Sequence, residues 1–210
     1  MRWGPEQWDA FTIGCLGREE DATPAEASLL ELLSRVPRRR LKTVADLGCG
    51  TGRLLPFLAR EFGKVIAVDY APASLALARR VCVGRDVTFR RRDLRDLAPF
   101  RNSLDVAVAG RSIVGPGLED VDRILAEVRG SLVHGGVLAA IVPATEAGET
   151  MIPMRLAGDP DGPEMIGFHE IELQYRLRRA GFDGVRIRRF DASQGRPGAL
   201  LCTAARRADN

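Results

Sequence analysis

The chain has 210 residues, 45% of them hydrophobic and 28% charged, with a formal net charge of +3. That length suits one substantial core, and no apolar run approaches the roughly 18 residues that a bilayer span needs, so the composition excludes a membrane protein and predicts one soluble domain over residues 1–210. A charge this mild exerts no general pull on nucleic acid.

The N-terminal run MRWGPEQWDAF has no continuous apolar stretch behind Arg2, so a secretory signal is not expected and the cytoplasm is the natural compartment. Cys15, Cys49, Cys82 and Cys202 are scattered, without a CxxC pair or a neighbouring histidine. They read as reduced, buried thiols, with neither a metal site nor a disulfide framework.

In chain order, Thr23 offers a helix cap with Pro24 behind it, and the apolar spacing predicts a helix over Pro24 to Val36, within an N-terminal helical segment of residues 1–40. Strand-length apolar runs then alternate with helical patterns. TVADLG leads to helix RLLPFLAREF, VIAVD to helix APASLALARRV, then VTFRRRD, LDVAVAG, helix EDVDRILAEVRGSL and strand GGVLAAIVP. That rhythm predicts a parallel sheet flanked by helices. His134, in LVHGG, falls in the turn before the fifth strand.

After Pro143 the rhythm stops. Residues 144–169 are rich in Gly, Pro and acids without a core pattern, which predicts an acceptor lid. A helix from Glu170 to Ala180, closed by Gly181, precedes GVRIRRFDA and ALLCTAARR, which read as an antiparallel hairpin turned over Ser193 to Gly198. The charge is uneven: the stretch before Val36 is acidic, whereas Arg90, Arg91, Arg92, Arg95 and the run Arg176 to Arg189 are basic, as solvated faces or as a footprint for an anionic substrate.

The informative segment is VADLGCGTGR, a buried strand that ends in Gly48, Gly50 and Gly52 and runs into a helix. Glycines in such a loop let the backbone turn sharply and approach a ligand closely. The dinucleotide fingerprint needs its third glycine where Arg53 stands, so NAD is disfavoured. Asp69 closes the next strand 17 positions beyond Gly52, where a carboxylate can accept both hydroxyls of a ribose. The third strand ends at Asp93. Asp46, Asp69 and Asp93 therefore arrive at one sheet edge.

VADLGCGTG, VIAVDYAPASLALAR and VTFRRRDL together resemble the first three motifs of class I S-adenosylmethionine-dependent methyltransferases, and LDVAVAG and LVHGGVLAAIVP are similar to that family's fourth and fifth strands. The resemblance covers Thr43 to Val142 and, less fully, the C-terminal hairpin. It implies an α/β Rossmann-like fold: a seven-stranded, mostly parallel sheet with helices on both faces and an antiparallel last strand. It also implies S-adenosylmethionine as cofactor. Carried over, Gly48, Cys49, Gly50 and Gly52 approach its methionine part, with Asp46 near the ammonium. Asp69 takes the ribose hydroxyls and Tyr70 packs on adenine. Asp93 and Leu94 meet the adenine edge, and Ala109 and Gly110 floor the site beneath the methyl group.

The acceptor side is less marked. Arg111 and Ser112 follow the fourth strand, where the family places acceptor-facing groups. Arg111 is placed either to grip a carboxylate or phosphate or to pair with an acid such as Asp120. The family's N-terminal segments often fold over the cofactor, a role that falls to Trp8 and Phe11 here. If the acceptor needs a general base, His169 is the candidate, with helix capping as its rival role; His134 lies at the wrong sheet end. The Asn/Asp-Pro-Pro-aromatic signature of nucleic-acid adenine methyltransferases is absent, and the region before Thr43 is too short for a large acceptor domain. The reading is therefore a methyltransferase for a small-molecule acceptor, with a cofactor-binding regulatory or scaffold protein as the alternative, and a nucleic-acid methyltransferase behind it.

Overall fold

The fold is that of a computed structural model, in which residues 4, 6, 22–114, 117–146, 151–153, 164–192 and 198–207 are described. Helix α1 (Pro24–Ser34) starts where its sequence says it should. Thr23 accepts from the Glu26 N–H at 3.2 Å, while the Glu26 carboxylate accepts from the Thr23 N–H at 2.7 Å, so both orphan donors are satisfied.

Seven strands form one sheet in the order β3 (Val87–Arg91), β2 (Lys64–Asp69), β1 (Thr43–Leu47), β4 (Leu104–Gly110), β5 (Leu132–Pro143), β9 (Ala199–Arg206) and β8 (Phe182–Phe190). β1 pairs in parallel with β2 and β4, β2 with β3, and β4 with β5, whereas β9 runs antiparallel to both β5 and β8. The expected Rossmann-like sheet with its antiparallel last strand is present. The central parallel strands β1, β2 and β4 are largely apolar runs because both faces are covered, whereas the edge strand β3 ends in exposed Arg90 and Arg91. On one face Ala45, Leu47 and Leu138 pack against Val121, Leu125 and Val128 of α4 (Leu118–Ser131) and Leu173 and Leu177 of α5 (Glu170–Arg179). On the other, Val44, Val65 and Ile141 meet Leu29 and Leu33 of α1, Leu55 and Leu58 of α2 (Leu55–Glu61), and Leu75 and Ala78 of α3 (Pro72–Val81).

Two expectations are corrected. β5 begins at Leu132, before the Gly-Gly pair, so His134 lies inside the strand and not in a turn ahead of it. The pairing with β4 jumps from Leu104↔Leu132 to Val106↔Val137, and Gly135, at φ +74°, supplies the left-handed residue that this bulge needs. The segment 144–169 is not free of core pattern either. β6 (Met151–Pro153) pairs antiparallel with β7 (Glu164–Ile166), and Ile166 and Phe168 are buried in the core. Both ends of the segment are fixed to the tip of β5: Ala144 N–H donates to Gly198 O, Thr145 N–H to Phe168 O, and Phe168 N–H to Pro143 O, all at 2.9 to 3.0 Å. Among the described residues, no helix is long and apolar enough to cross a membrane.

Candidate functional site

The three acids expected at one sheet edge lie at or just beyond the C-terminal ends of the adjacent strands β1, β2 and β3. β1 leads directly into the glycine loop. The N–H groups of Gly48 and Cys49 both donate to Val68 O of β2, at 2.7 and 2.9 Å, so the loop folds back over the neighbouring strand. Asp69 holds it there: one carboxylate oxygen accepts from Gly50 N–H at 2.8 Å and the other from Ala71 N–H at 2.9 Å. Gly48 and Gly52 are glycine for reasons of space as well as of backbone. A Cβ on Gly48 (φ +71°) would lie 2.3 Å from Ser112 Cβ, and one on Gly52 (φ +89°) 3.0 Å from Ala78 Cα. Among the described residues, no atom beyond its chain neighbours lies within 4 Å of the corresponding point on Gly50.

Asp46 is 2% exposed, and its Oδ2 has no hydrogen-bond partner among the described residues. Burial, with the nearby Asp69 charge adding to it, pushes the Asp46 carboxyl up to about 7. An orphaned, buried carboxyl group near the end of β1, just ahead of the glycine loop, is a place for a cation. The Cys49 thiol is pushed up by burial and then by the charges of Asp46 and Asp69, so it stays a neutral thiol.

Sequence reasoning missed the part played by Arg53. It pairs with Glu26 of the α1 capping box at 3.0 Å and so ties the end of the glycine loop to α1. The position where a dinucleotide loop needs a third glycine carries an anchor instead.

Tyr70 is half-buried, and its carbonyl accepts from Arg91 Nε at 3.2 Å. Asp93, beyond the end of β3, is gripped by Arg95, whose Nη2 reaches Asp93 Oδ2 at 2.6 Å while Nη1 reaches Asp120 Oδ1 at 2.9 Å. Burial alone would raise the Asp93 carboxyl, but the Arg95 hydrogen bonds hold it below the usual carboxylate range. Asp120 thus pairs with Arg95, not with Arg111. Leu94 packs partly buried against the core.

On β4, Ala109 is fully buried and Gly110 exposed. Arg111 adopts a left-handed backbone at φ +65°, fixed by its N–H on Ile141 O at 2.8 Å. The residue is half-buried, and its guanidinium pairs with no acid or carbonyl among the described residues. Ser112 does not offer its hydroxyl outward: Oγ donates to Leu47 O, at the end of β1. His169 caps α5, its Nδ1 accepting from Ile171 N–H at 3.4 Å. Trp8 and Phe11 lie outside the described residues.

Residues 44–136 match the family described as a methyltransferase domain. Over those residues the chain carries a methyltransferase domain. A trans-aconitate 2-methyltransferase from Deinococcus radiodurans is 34% identical over 146 residues, covering 69% of this chain and 50% of that protein. Another from Variovorax paradoxus is 33% identical over 171 residues, covering 80% of this chain and 60% of that one. The chain thus spans about half to three fifths of the length of these relatives. The fold is also that of the 1,6-didemethyltoxoflavin-N1-methyltransferase from Burkholderia thailandensis, solved with 1,6-didemethyltoxoflavin and S-adenosylhomocysteine bound: TM-score 0.75 at 23% identity, covering 97% of this chain and 88% of that one. Transferases of this fold are solved with S-adenosylhomocysteine bound, which makes S-adenosylmethionine the cofactor to test against this site. Its residues fit that cofactor, with the orphaned Asp46 oxygen suited to the ammonium and the open face of Gly50 to a closely approaching chain.

Proposed function

We propose that the protein methylates a small carboxylic acid, with Arg111 gripping an acceptor carboxylate at the tip of β4. The observation that carries this reading is the state of Arg111: half-buried, held in a strained left-handed backbone, and without a partner for its guanidinium among the described residues. A planar guanidinium matches a carboxylate in a bidentate fork, and strain of this kind persists where the surroundings over-determine it. The relatives named for trans-aconitate, a compound with several carboxylates, support the same class of acceptor.

In this reading Asp46 takes the ammonium of the cofactor and Asp69 the ribose hydroxyls. Asp93, Leu94 and Tyr70 frame the adenine, and the backbone of Ala109 and Gly110 floors the transfer site. Bound S-adenosylmethionine supplies a methyl group on a positively charged sulfur, already activated for in-line displacement. What the chain must add is alignment and exclusion of water. A carboxylate acceptor is ionised at neutral pH, since ordinary carboxyl groups titrate near pH 4. No base is then required, and His169 keeps its cap. Residues 144–169, fixed at both ends to the tip of β5, serve in this reading as the lid over the acceptor.

Incubation with methyl-labelled S-adenosylmethionine and, separately, trans-aconitate, citrate, and simple amines or phenols tests the proposal. Label is expected in a base-labile methyl ester of a polycarboxylate. Label confined to amine or phenol products, or none in any acceptor, rejects the carboxylate reading.

A further inference from the structure

We propose that Ser112 is a positioning residue that locks the peptide after β4 to the cofactor loop after β1, so that Arg111 is held in register with the methyl donor. The role given to Arg111 rests on the carboxylate-acceptor reading; the lock itself does not.

Three observations meet at this point. The Ser112 hydroxyl donates to Leu47 O, and Leu47 is fully buried, so that carbonyl has no water to turn to. The side chain of Ser112 also fills the space that a Cβ on Gly48 would need, at 2.3 Å, so the first loop glycine and Ser112 are fitted to each other. Between them, Arg111 sits at φ +65°, its N–H on Ile141 O at 2.8 Å. The peptide 111–112 is therefore tied on one side to β5 and on the other to β1. An arginine on a freely relaxing peptide would leave the left-handed region, which is unfavourable for a residue with a side chain. The two ties hold it there, and they fix where its side chain starts relative to the glycine loop.

The consequence is a mechanical link between the two substrate sides. Whatever orders the loop from Gly48 to Gly52 is felt at Arg111 through one hydrogen bond and one close contact. Leu47 and Ser112 are 65 residues apart in sequence but hydrogen-bonded in space.

Hydrogen exchange of the full chain with and without S-adenosylhomocysteine reads the link without any acceptor. In the parent, the nucleoside product is expected to slow exchange in the segments 47–52 and 110–114. In Ser112→Ala, which keeps the Cβ packed on Gly48 and removes only the hydroxyl, it should still slow exchange at 47–52 but lose most of its effect at 110–114. Ser112→Cys, of similar shape but with a weak donor, should fall between them. Kinetics give a second arm: with a polycarboxylate acceptor, Ser112→Ala should raise the acceptor KM at least tenfold while the KM for S-adenosylmethionine moves less than threefold. Equal protection of both segments in the alanine variant overturns the lock. A parent that turns over no carboxylate sinks the acceptor reading, and the exchange result then decides the lock by itself.

Discussion

Asp46 and Asp69 stand at the ends of neighbouring strands, and the charge on Asp69 adds to burial in pushing the Asp46 carboxyl up to about 7. The folded-state value therefore lies above the ordinary 3.8 of the unfolded chain. The stability this group contributes is fully present below about pH 4 and is lost as pH rises through 7, because the buried charge must then form. A cofactor ammonium beside Asp46 would favour the ionised form. Binding of S-adenosylhomocysteine should therefore release a proton near pH 7 and weaken as pH falls from 8 to 6. Calorimetry in two buffers of different ionisation enthalpy measures both effects. Asp46→Asn should abolish the proton release and, without ligand, unfold at a higher temperature than the parent at pH 8. Unchanged proton release in that variant would remove Asp46 from the ammonium site.

Asp69 has a double task in the proposed site: its carboxylate oxygens accept from the Gly50 and Ala71 N–H groups of the loop, and it is also to meet the ribose hydroxyls. Asp69→Asn keeps the size but presents an amide N–H to one of the two backbone donors. Charge-assisted bonds of this kind are worth about 1.5–3 kcal/mol, so the affinity for S-adenosylhomocysteine should fall roughly tenfold to a hundredfold. A titration of the variant that returns the parent dissociation constant rejects the assignment.

What the sequence made legible was whatever repeats locally. The alternation of apolar runs and amphipathic helices gives the sheet, and the strand-loop-helix pattern around Gly48 places Asp46 and Asp69 at the C-terminal edge of its strands without any long-range contact. Ser112 and Arg95 could not be read in the same way. Their partners, Leu47 and Asp120, lie 65 and 25 residues away, and no spacing rule predicts which carbonyl a serine will choose or which acid an arginine will favour. Phe168 was hidden because a single aromatic among Gly, Pro and acids gives no period, although it is fully buried. The early start of β5 was hidden by a bulge, which moves the register by inserting residues that look like a turn.

His169 separates two roles by substitution. If its Nδ1 only caps α5, His169→Asn should preserve stability and turnover, because asparagine is itself a good cap, while His169→Ala should cost about 1 kcal/mol of stability and spare the folded enzyme's kcat. If the ring instead takes a proton from the acceptor, both variants should lose turnover by a hundredfold or more with little change in cofactor affinity. With a carboxylate acceptor the first outcome is expected; the second would mean that the acceptor carries a proton to be removed.

Arg111→Gly sets stability against function at one position. Glycine adopts φ +65° without penalty, so the substitution removes roughly 1–2 kcal/mol of backbone strain and adds about 0.5–1 kcal/mol of unfolded-state entropy cost. Unfolding in denaturant should accordingly show a variant as stable as the parent or more stable by up to about 1.5 kcal/mol, with an unchanged dependence on denaturant. The guanidinium is lost, so the acceptor KM should rise at least a hundredfold while S-adenosylhomocysteine binds as before. Arg111→Lys keeps the charge but not the bidentate fork, and should lose an intermediate amount. A glycine variant with the parent's acceptor KM would take Arg111 out of the acceptor site, and one clearly less stable than the parent would mean that its side chain supports the fold rather than waiting for a substrate.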